Sequence, residues 1–228
     1  MAILDGRVLI TLDLDDTLWD NIPTLQYAED ILYAWLKKHT KGITDSYTID
    51  DLKAYRRQYG RDNPTLKHDL TRLRYESLCH IGKRCGYSHY DIERAMRVFL
   101  KARNRVTLYD DVIPALRTLS EKYHLAALSN GNADILQIGI KKYFDMSITS
   151  ADIGSSKPEP DMFHAVMEYF KLAQSSVVHI GDEPETDILG AHRAGIDSVW
   201  LNRKQVPWPQ HLHAPTFEIN SLLELLQD

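Results

Sequence analysis

The chain has 228 residues, of which 43% are hydrophobic and 26% charged, and its formal net charge is −5. That composition belongs to an ordinary soluble globular protein, long enough to bury a sizeable core. An acidic balance argues against a reader of nucleic-acid backbones, and no apolar run approaches the roughly 18 residues of a membrane span.

The opening stretch, Met1-Ala2-Ile3-Leu4-Asp5-Gly6-Arg7, carries charges where a secretory leader needs an uninterrupted apolar region. The first predicted strand, Arg7 to Asp13, contains the apolar run Val8-Leu9-Ile10-Thr11-Leu12 and ends in Asp13-Leu14-Asp15-Asp16-Thr17-Leu18. Clustered carboxylates repel, and a buried one is costly unless a positive charge compensates it. A hard divalent cation such as Mg²⁺ does so through oxygen ligands. In an open α/β sheet, ligands bind at the carboxyl ends of the strands, where these groups fall. Asp and Thr also cap helices, so an acidic turn is the alternative when the motif is taken alone.

From Ile22 to Arg105 the pattern becomes helical. Ile31, Trp35 and Leu36 form one stripe with Leu32 beside it, and Leu66, Leu70, Leu73 and Leu78 form part of another. Lys37, Lys38, Arg72 and Arg74 fall on the remaining, solvated faces. Gly42, Gly60, Asn63-Pro64 and Gly86 break the stretch into four predicted helices, a bundle inserted after the first strand. The two cysteines, Cys79 and Cys85, lie six apart in a predicted helix and make no metal or redox pattern, which fits a reducing cytoplasm.

After Asp110 strands and helices alternate. Strands are predicted at Leu125 to Ser129, Met146 to Thr149, Val177 to Gly181 and Ser198 to Leu201, with a short closing strand at Phe217 to Ile219. Helices are predicted at Pro114 to Tyr123, Ala133 to Ile140, Pro160 to Phe170, Asp187 to Ala194 and Leu222 to Gln227. The fold class is therefore α/β, with a mostly parallel, Rossmann-like sheet. Three distant segments carry polar groups: the strand end Ser129-Asn130-Gly131-Asn132, then Lys157 just before the proline-marked helix start at Pro158, then the strand end Gly181-Asp182 with Asp187 five residues on. Each is plausible as a plain turn or a surface charge. Their order and strand context together point to a site. His179 sits in a predicted buried strand and reads as a satisfied core histidine.

This set resembles the haloacid dehalogenase superfamily, whose members are mostly Mg²⁺-dependent phosphatases. The family pattern falls on Asp13/Asp15/Thr17, Ser129, Lys157 and Gly181/Asp182/Asp187, and it covers essentially the whole chain. The resemblance implies a catalytic core at residues 1–20 and 106–228 and a helical cap at residues 21–105. Asp13 is expected as nucleophile, forming an aspartyl-phosphate, and Asp15 as general acid and base. Mg²⁺ is expected on the Asp13 carboxylate, the Asp15 main-chain carbonyl and Asp182. Lys157, Ser129 and Asn130 are expected around the phosphoryl group, with Thr17 and Asp187 in support and Asp187 orienting Lys157 or a metal-bound water.

Asp-Leu-Asp-Asp-Thr-Leu-Trp-Asp-Asn, His68-Asp69-Leu70-Thr71 and Ser129-Asn130-Gly131-Asn132 are most similar to a narrower group of bacterial phosphatases. That group acts on flavin mononucleotide and on 5-amino-6-(5-phosphoribitylamino)uracil. In the cap, Asn21, Lys67, His68, Arg72, Arg74 and Tyr75 are the candidates for substrate contact, a solvated helix face being the alternative. Rival readings are a sugar-phosphate or phosphoglycolate phosphatase, a 2-haloacid dehalogenase, and a non-catalytic binding or regulatory protein. The dehalogenase branch lacks the second aspartate and needs no Mg²⁺, so Asp15 speaks for phosphatase. The expected partner is a small-molecule phosphate ester, with no nucleic acid and no membrane, and the protein a monomer or homodimer.

Overall fold

A computed structural model describes residues 3–227. Met1 and Ala2, which open the stretch read for a leader, lie outside the described residues. Strand β1 (Leu9–Leu12) is apolar and wholly buried, as a central parallel strand covered on both faces must be. The chain then runs through helices α1 (Asn21–His39), α2 (Lys41–Ser46), α3 (Ile49–Asp62), α4 (Leu70–Arg84) and α5 (His89–Arg103). It returns as α6 (Val112–Ser120), β2 (His124–Ser129), α7 (Ile135–Ile138), β3 (Met146–Thr149), α8 (Ser150–Ile153) and α9 (Asp161–Phe170). Then follow β4 (Val177–Gly181), a π-helical turn over Pro184–Ile188 that runs into α10 (Leu189–Arg193), β5 (Asp197–Leu201) and β6 (Phe217–Ile219).

The six strands of the described residues form one sheet in the order β3-β2-β1-β4-β5-β6, and every pairing is parallel. The chain steps outward from β1 to β3, then returns to the opposite side of β1 with β4. A doubly wound sheet opens a crevice at such a reversal, beyond the carboxyl ends of the strands. Asp13 follows β1 directly and Asp182 follows β4, so the reversal brings together carboxylates 169 positions apart. Below the crevice, α9 lays Met162, Phe163 and Val166 against Leu9, Leu128 and Val177.

The chain divides into two compact units, one built from the chain up to Asp20 and from Thr107 onward, the other from Asn21–Val106. The helical unit has its own core of Ala28, Leu32 and Leu36 from α1, Leu78 and Ile81 from α4, and Ile92, Ala95, Met96 and Phe99 from α5. Thr48 and Ser88 close the starts of α3 and α5 as capping boxes with Asp51 and Asp91. No described helix is long and apolar enough to cross a membrane.

Several local expectations need correction. The cap holds five α-helices instead of four, because α2 fits between Thr40 and Tyr47. The buried stripe of α1 runs Ala28, Leu32, Leu36, with Ile31 and Trp35 only partly covered at its edge. In the second stripe Leu66 and Leu78 are buried but Leu70 is exposed. The predicted helix over 133–140 shrinks to α7, since Gly139 takes a left-handed φ of 90° and ends it. The helix expected from Asp187 begins earlier, at Pro184, where proline suits a first helical turn. The last helix is 3₁₀, over Leu222–Leu226. Arg74, expected in solvent, is buried on Glu29, a partner 45 residues away that no local periodicity reveals.

Candidate active site

Lys157 is the hub. Its Nζ donates to Asp13 Oδ1 at 2.6 Å, to Asp187 Oδ1 at 2.6 Å and to the Leu128 carbonyl at 2.7 Å. Three acceptors satisfy the three hydrogens of an ammonium, so a cation only 3% exposed is fully paired. Burial alone would lower its pKa, but the charges of Asp13 and Asp187 outweigh it and hold Lys157 protonated well beyond neutral pH.

The Lys157 main chain is fixed as well. Asn130 Oδ1 accepts from Lys157 N–H at 2.8 Å, and Asn130 Nδ2 donates to the Lys157 carbonyl at 2.9 Å. This reciprocal pair ties the turn after β2 to the turn before α9. Beside it, Ser129 Oγ is buried and accepts from Gly131 N–H at 2.9 Å.

Asp187 is committed on both oxygens. Oδ1 faces Lys157 and His179 Nε2, the latter at 3.3 Å, and Oδ2 accepts from Glu183 N–H at 3.0 Å. Burial opposes its charge, yet Lys157 and His179 hold its carboxyl well below the usual range. His179 also meets Thr11 Oγ1 through Nδ1 at 2.9 Å and packs edge-on against Phe163, so it is the satisfied core histidine expected. Its support of Asp187 was not legible from residue spacing.

Asp182 Oδ1 accepts from Thr17 Oγ1 at 3.0 Å, and its main-chain carbonyl accepts from Trp200 Nε1 at 2.8 Å. Burial, with Asp187 and other nearby carboxylates, pushes its pKa up to about 7 despite the Thr17 bond. Burial also pushes Asp13 well above its ordinary value; Lys157 pulls the other way, and Asp187 and Asp182 add to the rise.

Asp13, Asp182 and Asp187 each bring an oxygen within 4.8 Å of the others. Three carboxylates against one ammonium make an all-oxygen donor set with excess negative charge, which fits a hard divalent cation. Because Asp187 is spent on Lys157, His179 and Glu183, the oxygens left for a cation belong to Asp13 and Asp182. Asp15 is not one of these three; its Oδ1 accepts from Trp19 Nε1 at 3.0 Å.

Two residues that sequence reasoning passed over complete this unit. Trp19 binds Asp15, and Arg203 donates from Nε and Nη2 to the Thr17 carbonyl at 3.1 and 2.9 Å. A signal existed for Arg203, which stands two residues past the end of β5, on the edge where sites form. The cap candidates Asn21, Lys67, His68, Arg72, Arg74 and Tyr75 all belong to the helical unit. Arg72 is exposed and pairs with Glu76 one turn along at 2.7 Å. Arg74 is engaged by Glu29 and lies 3.6 Å from the centroid of the Phe99 ring.

A family model of haloacid dehalogenase-like hydrolases matches residues 8–195. The chain belongs to that family. Membership makes it an enzyme of the hydrolase class, and the matched span holds Asp13, Ser129, Lys157, Asp182 and Asp187. Among similar proteins, the 5-amino-6-(5-phospho-D-ribitylamino)uracil phosphatase YigB of Escherichia coli (strain K12) is 30% identical, over 96% of this chain and 95% of its own. The pyrimidine 5'-nucleotidase PynA of Streptococcus pneumoniae is 28% identical over 94% of this chain and 91% of its own. A crystal structure of a 2-haloacid dehalogenase from Pseudomonas syringae pv. tomato DC3000 superposes with a TM-score of 0.91. It is 32% identical, with 97% of each chain covered.

Proposed function

We propose that this family member is a Mg²⁺-dependent phosphatase of small phosphorylated metabolites that works through an aspartyl-phosphate on Asp13. The carrying observation is the buried ammonium of Lys157 held 2.6 Å from Asp13 Oδ1, with Asp182 alongside, at the carboxyl ends of β1 and β4. Phosphatase relatives that match nearly the whole chain support the same reading.

Asp13 attacks phosphorus as the bond to the leaving oxygen breaks, which gives a mixed anhydride. Lys157 favours the ionised form of Asp13, opposing the penalty of burial, and draws negative charge from the transferring group. Ser129 Oγ, already oriented by Gly131 N–H, turns its hydrogen toward a phosphoryl oxygen. Asp15 protonates the departing alkoxide, then takes a proton from the water that attacks the aspartyl-phosphate, releasing inorganic phosphate and restoring Asp13. Mg²⁺, held by Asp13, Asp182 and the Asp15 main-chain carbonyl, supplies charge neutralisation of the phosphoryl oxygens when bound.

For the substrate we favour flavin mononucleotide or 5-amino-6-(5-phosphoribitylamino)uracil, on the strength of the YigB likeness and the short motifs at Asp13 to Asn21 and Ser129 to Asn132. Phosphate release from a panel of these esters, nucleotides and sugar phosphates, with and without Mg²⁺, tests the proposal. The expected result is Mg²⁺-dependent release that EDTA suppresses and that is lost in Asp13→Asn with the fold intact. Near wild-type turnover by Asp13→Asn overturns the covalent route.

Dehalogenation is the second reading, favoured by the close superposition on a 2-haloacid dehalogenase. Asp15, the aspartate that the dehalogenase branch lacks, weighs against it. Halide release from a 2-haloacid, without metal, would support it instead.

A further inference from the structure

Asp13 and Asp182, whose oxygens are left for a cation, are placed by different means. Asp13 is still held by the sheet, its N–H donating to the Ile180 carbonyl of β4 at 2.9 Å. Asp182 stands one residue beyond β4, and the pairing of β4 with β5 ends at Gly181 opposite Trp200. Side chains take over the hold there. The Thr17 hydroxyl donates to Asp182 Oδ1 at 3.0 Å, and the Trp200 indole Nε1–H donates to the Asp182 main-chain carbonyl at 2.8 Å.

Both holds lead back to the end of β5. Trp200 is wholly buried, and its ring meets Trp208 edge-on with centroids 4.9 Å apart. Trp208 is anchored in turn, its Nε1 donating to the Leu212 carbonyl at 3.2 Å. Arg203 grips the Thr17 carbonyl through Nε and Nη2, and so secures the main chain that carries the Thr17 hydroxyl. Its Nη1 bonds Asp111 Oδ2 at 3.0 Å, and its guanidinium lies 4.2 Å from the Tyr109 ring centroid. Asp111 Oδ2 also accepts from Ser221 Oγ and Leu222 N–H, each at 2.8 Å. Trp200 thus acts on the main chain of Asp182, and Arg203 acts on its carboxylate through Thr17.

A carboxylate held this firmly suits one ion better than another. Mg²⁺ demands a near-ideal octahedron with oxygens at about 2.0–2.1 Å, whereas Ca²⁺ accepts flexible arrangements at about 2.3–2.6 Å. We propose that Trp200 and Arg203 are positioning residues, which hold Asp182 against Asp13 at a separation that favours Mg²⁺ over Ca²⁺. The proposal rests on the reading of Asp13 and Asp182 as the carboxylates that hold Mg²⁺.

The test reads metal binding without substrate. Bound Mn²⁺ is followed by electron paramagnetic resonance, and Mg²⁺ or Ca²⁺ is titrated in to displace it, which gives the affinity of each ion. Trp200→Phe keeps an aromatic ring and removes the donor. Should that variant unfold, replacement of Trp200 by benzothienylalanine decides, because it keeps the bicyclic shape and lacks only the N–H. Arg203→Lys keeps the charge and leaves one nitrogen where two gripped the Thr17 carbonyl. In each variant Mg²⁺ affinity is expected to fall about ten-fold and Ca²⁺ affinity less than about two-fold. General damage to the fold would weaken both ions alike. A folded variant that loses the two ions equally, or loses neither, overturns the role of its residue. Asp182→Asn is measured in parallel. If it binds Mn²⁺ as the wild type does, the reading of Asp13 and Asp182 as the Mg²⁺ carboxylates fails. If Asp182→Asn loses Mn²⁺ while the Trp200 and Arg203 variants keep the wild-type preference, only the positioning roles fail.

Discussion

At the scale of single residues, the site is a set of carboxylates whose environments differ within a few ångströms. Asp187 is held ionised by Lys157 and His179, whereas Asp182 is pushed up to about 7 by burial and its acidic neighbours. Gly181 is what lets Asp187 reach Lys157 at all. A Cβ at position 181 would lie 2.3 Å from the Asp187 Cγ, inside any tolerable contact. Asp187 is tied to Glu183 N–H and Lys157, so it cannot retreat without releasing one of them. Gly181→Ala should therefore lower kcat/KM on the order of 100-fold, the cost of misplacing a catalytic group by about an ångström. Thermal unfolding and kinetics measured on the same sample check this, and an alanine variant with unchanged kcat/KM would show that Asp187 needs no exact seat. The acidic and hydroxyl positions were legible because apolar runs lead into them at the same end of the sheet, and Lys157 because it stands just before a proline-marked helix start. Trp19, His179 and Arg203 were not, because an indole after a turn, a histidine in a strand and an arginine past one each have commoner structural explanations.

At the scale of elements, the strands were the most legible part of the chain, since short apolar runs between turn residues admit few other readings. Helix ends were less so, and helix faces least. The case of α4 shows why: Arg74 falls at a position that spacing allows to face solvent, but Glu29 of α1 draws it inward. Glu29 Oε1 accepts from Arg74 at 2.8 Å and from Arg56 at 2.9 Å, so one carboxylate joins α1, α3 and α4. Burial opposes the Glu29 charge, yet Arg74 and Arg56 hold its pKa below the ordinary value. Burial and the Arg56 charge bring Arg74 down to about 10, still cationic at neutral pH. Glu29→Gln leaves two guanidiniums without their counter-charge and should cost about 3–5 kcal/mol of stability at pH 7. The sign with pH follows from the lowered pKa. The contribution is present above the unfolded value, about 4.3, and is lost as pH falls through the folded value below it. Urea unfolding of wild type and variant from pH 7 to pH 3 should show a gap that narrows on the acid side. A gap that stays constant through that range would mean the Glu29 charge is not its source.

At the scale of the whole molecule, the two units divide their chemistry differently. The α/β unit gathers Asp13, Ser129, Lys157, Asp182 and Asp187 where the sheet reverses direction, and under the proposed function these groups would recognise only what every phosphate ester shares. The helical unit commits the charges of Glu29, Arg56 and Arg74 to holding its own helices together. Arg74 is therefore a poor probe of substrate selection, because its removal damages the bundle before it tests recognition. Lys67, His68, Arg72 and Tyr75 are the better probes, and of these Arg72 is exposed and pairs with Glu76 on its own helix. If the helical unit selects the substrate, Arg72→Ala and Tyr75→Ala should change kcat/KM unequally between flavin mononucleotide and a small sugar phosphate. A lost hydrogen bond or stacking contact would separate the two by about 1–3 kcal/mol. Lys157→Met should instead depress both esters by a similar factor, since it acts on the phosphoryl group common to them. Measuring the three variants on the same two esters distinguishes selection from chemistry. Uniform losses in Arg72→Ala and Tyr75→Ala would move the search for specificity to other residues of the helical unit, and the flavin reading would then stand on sequence likeness alone.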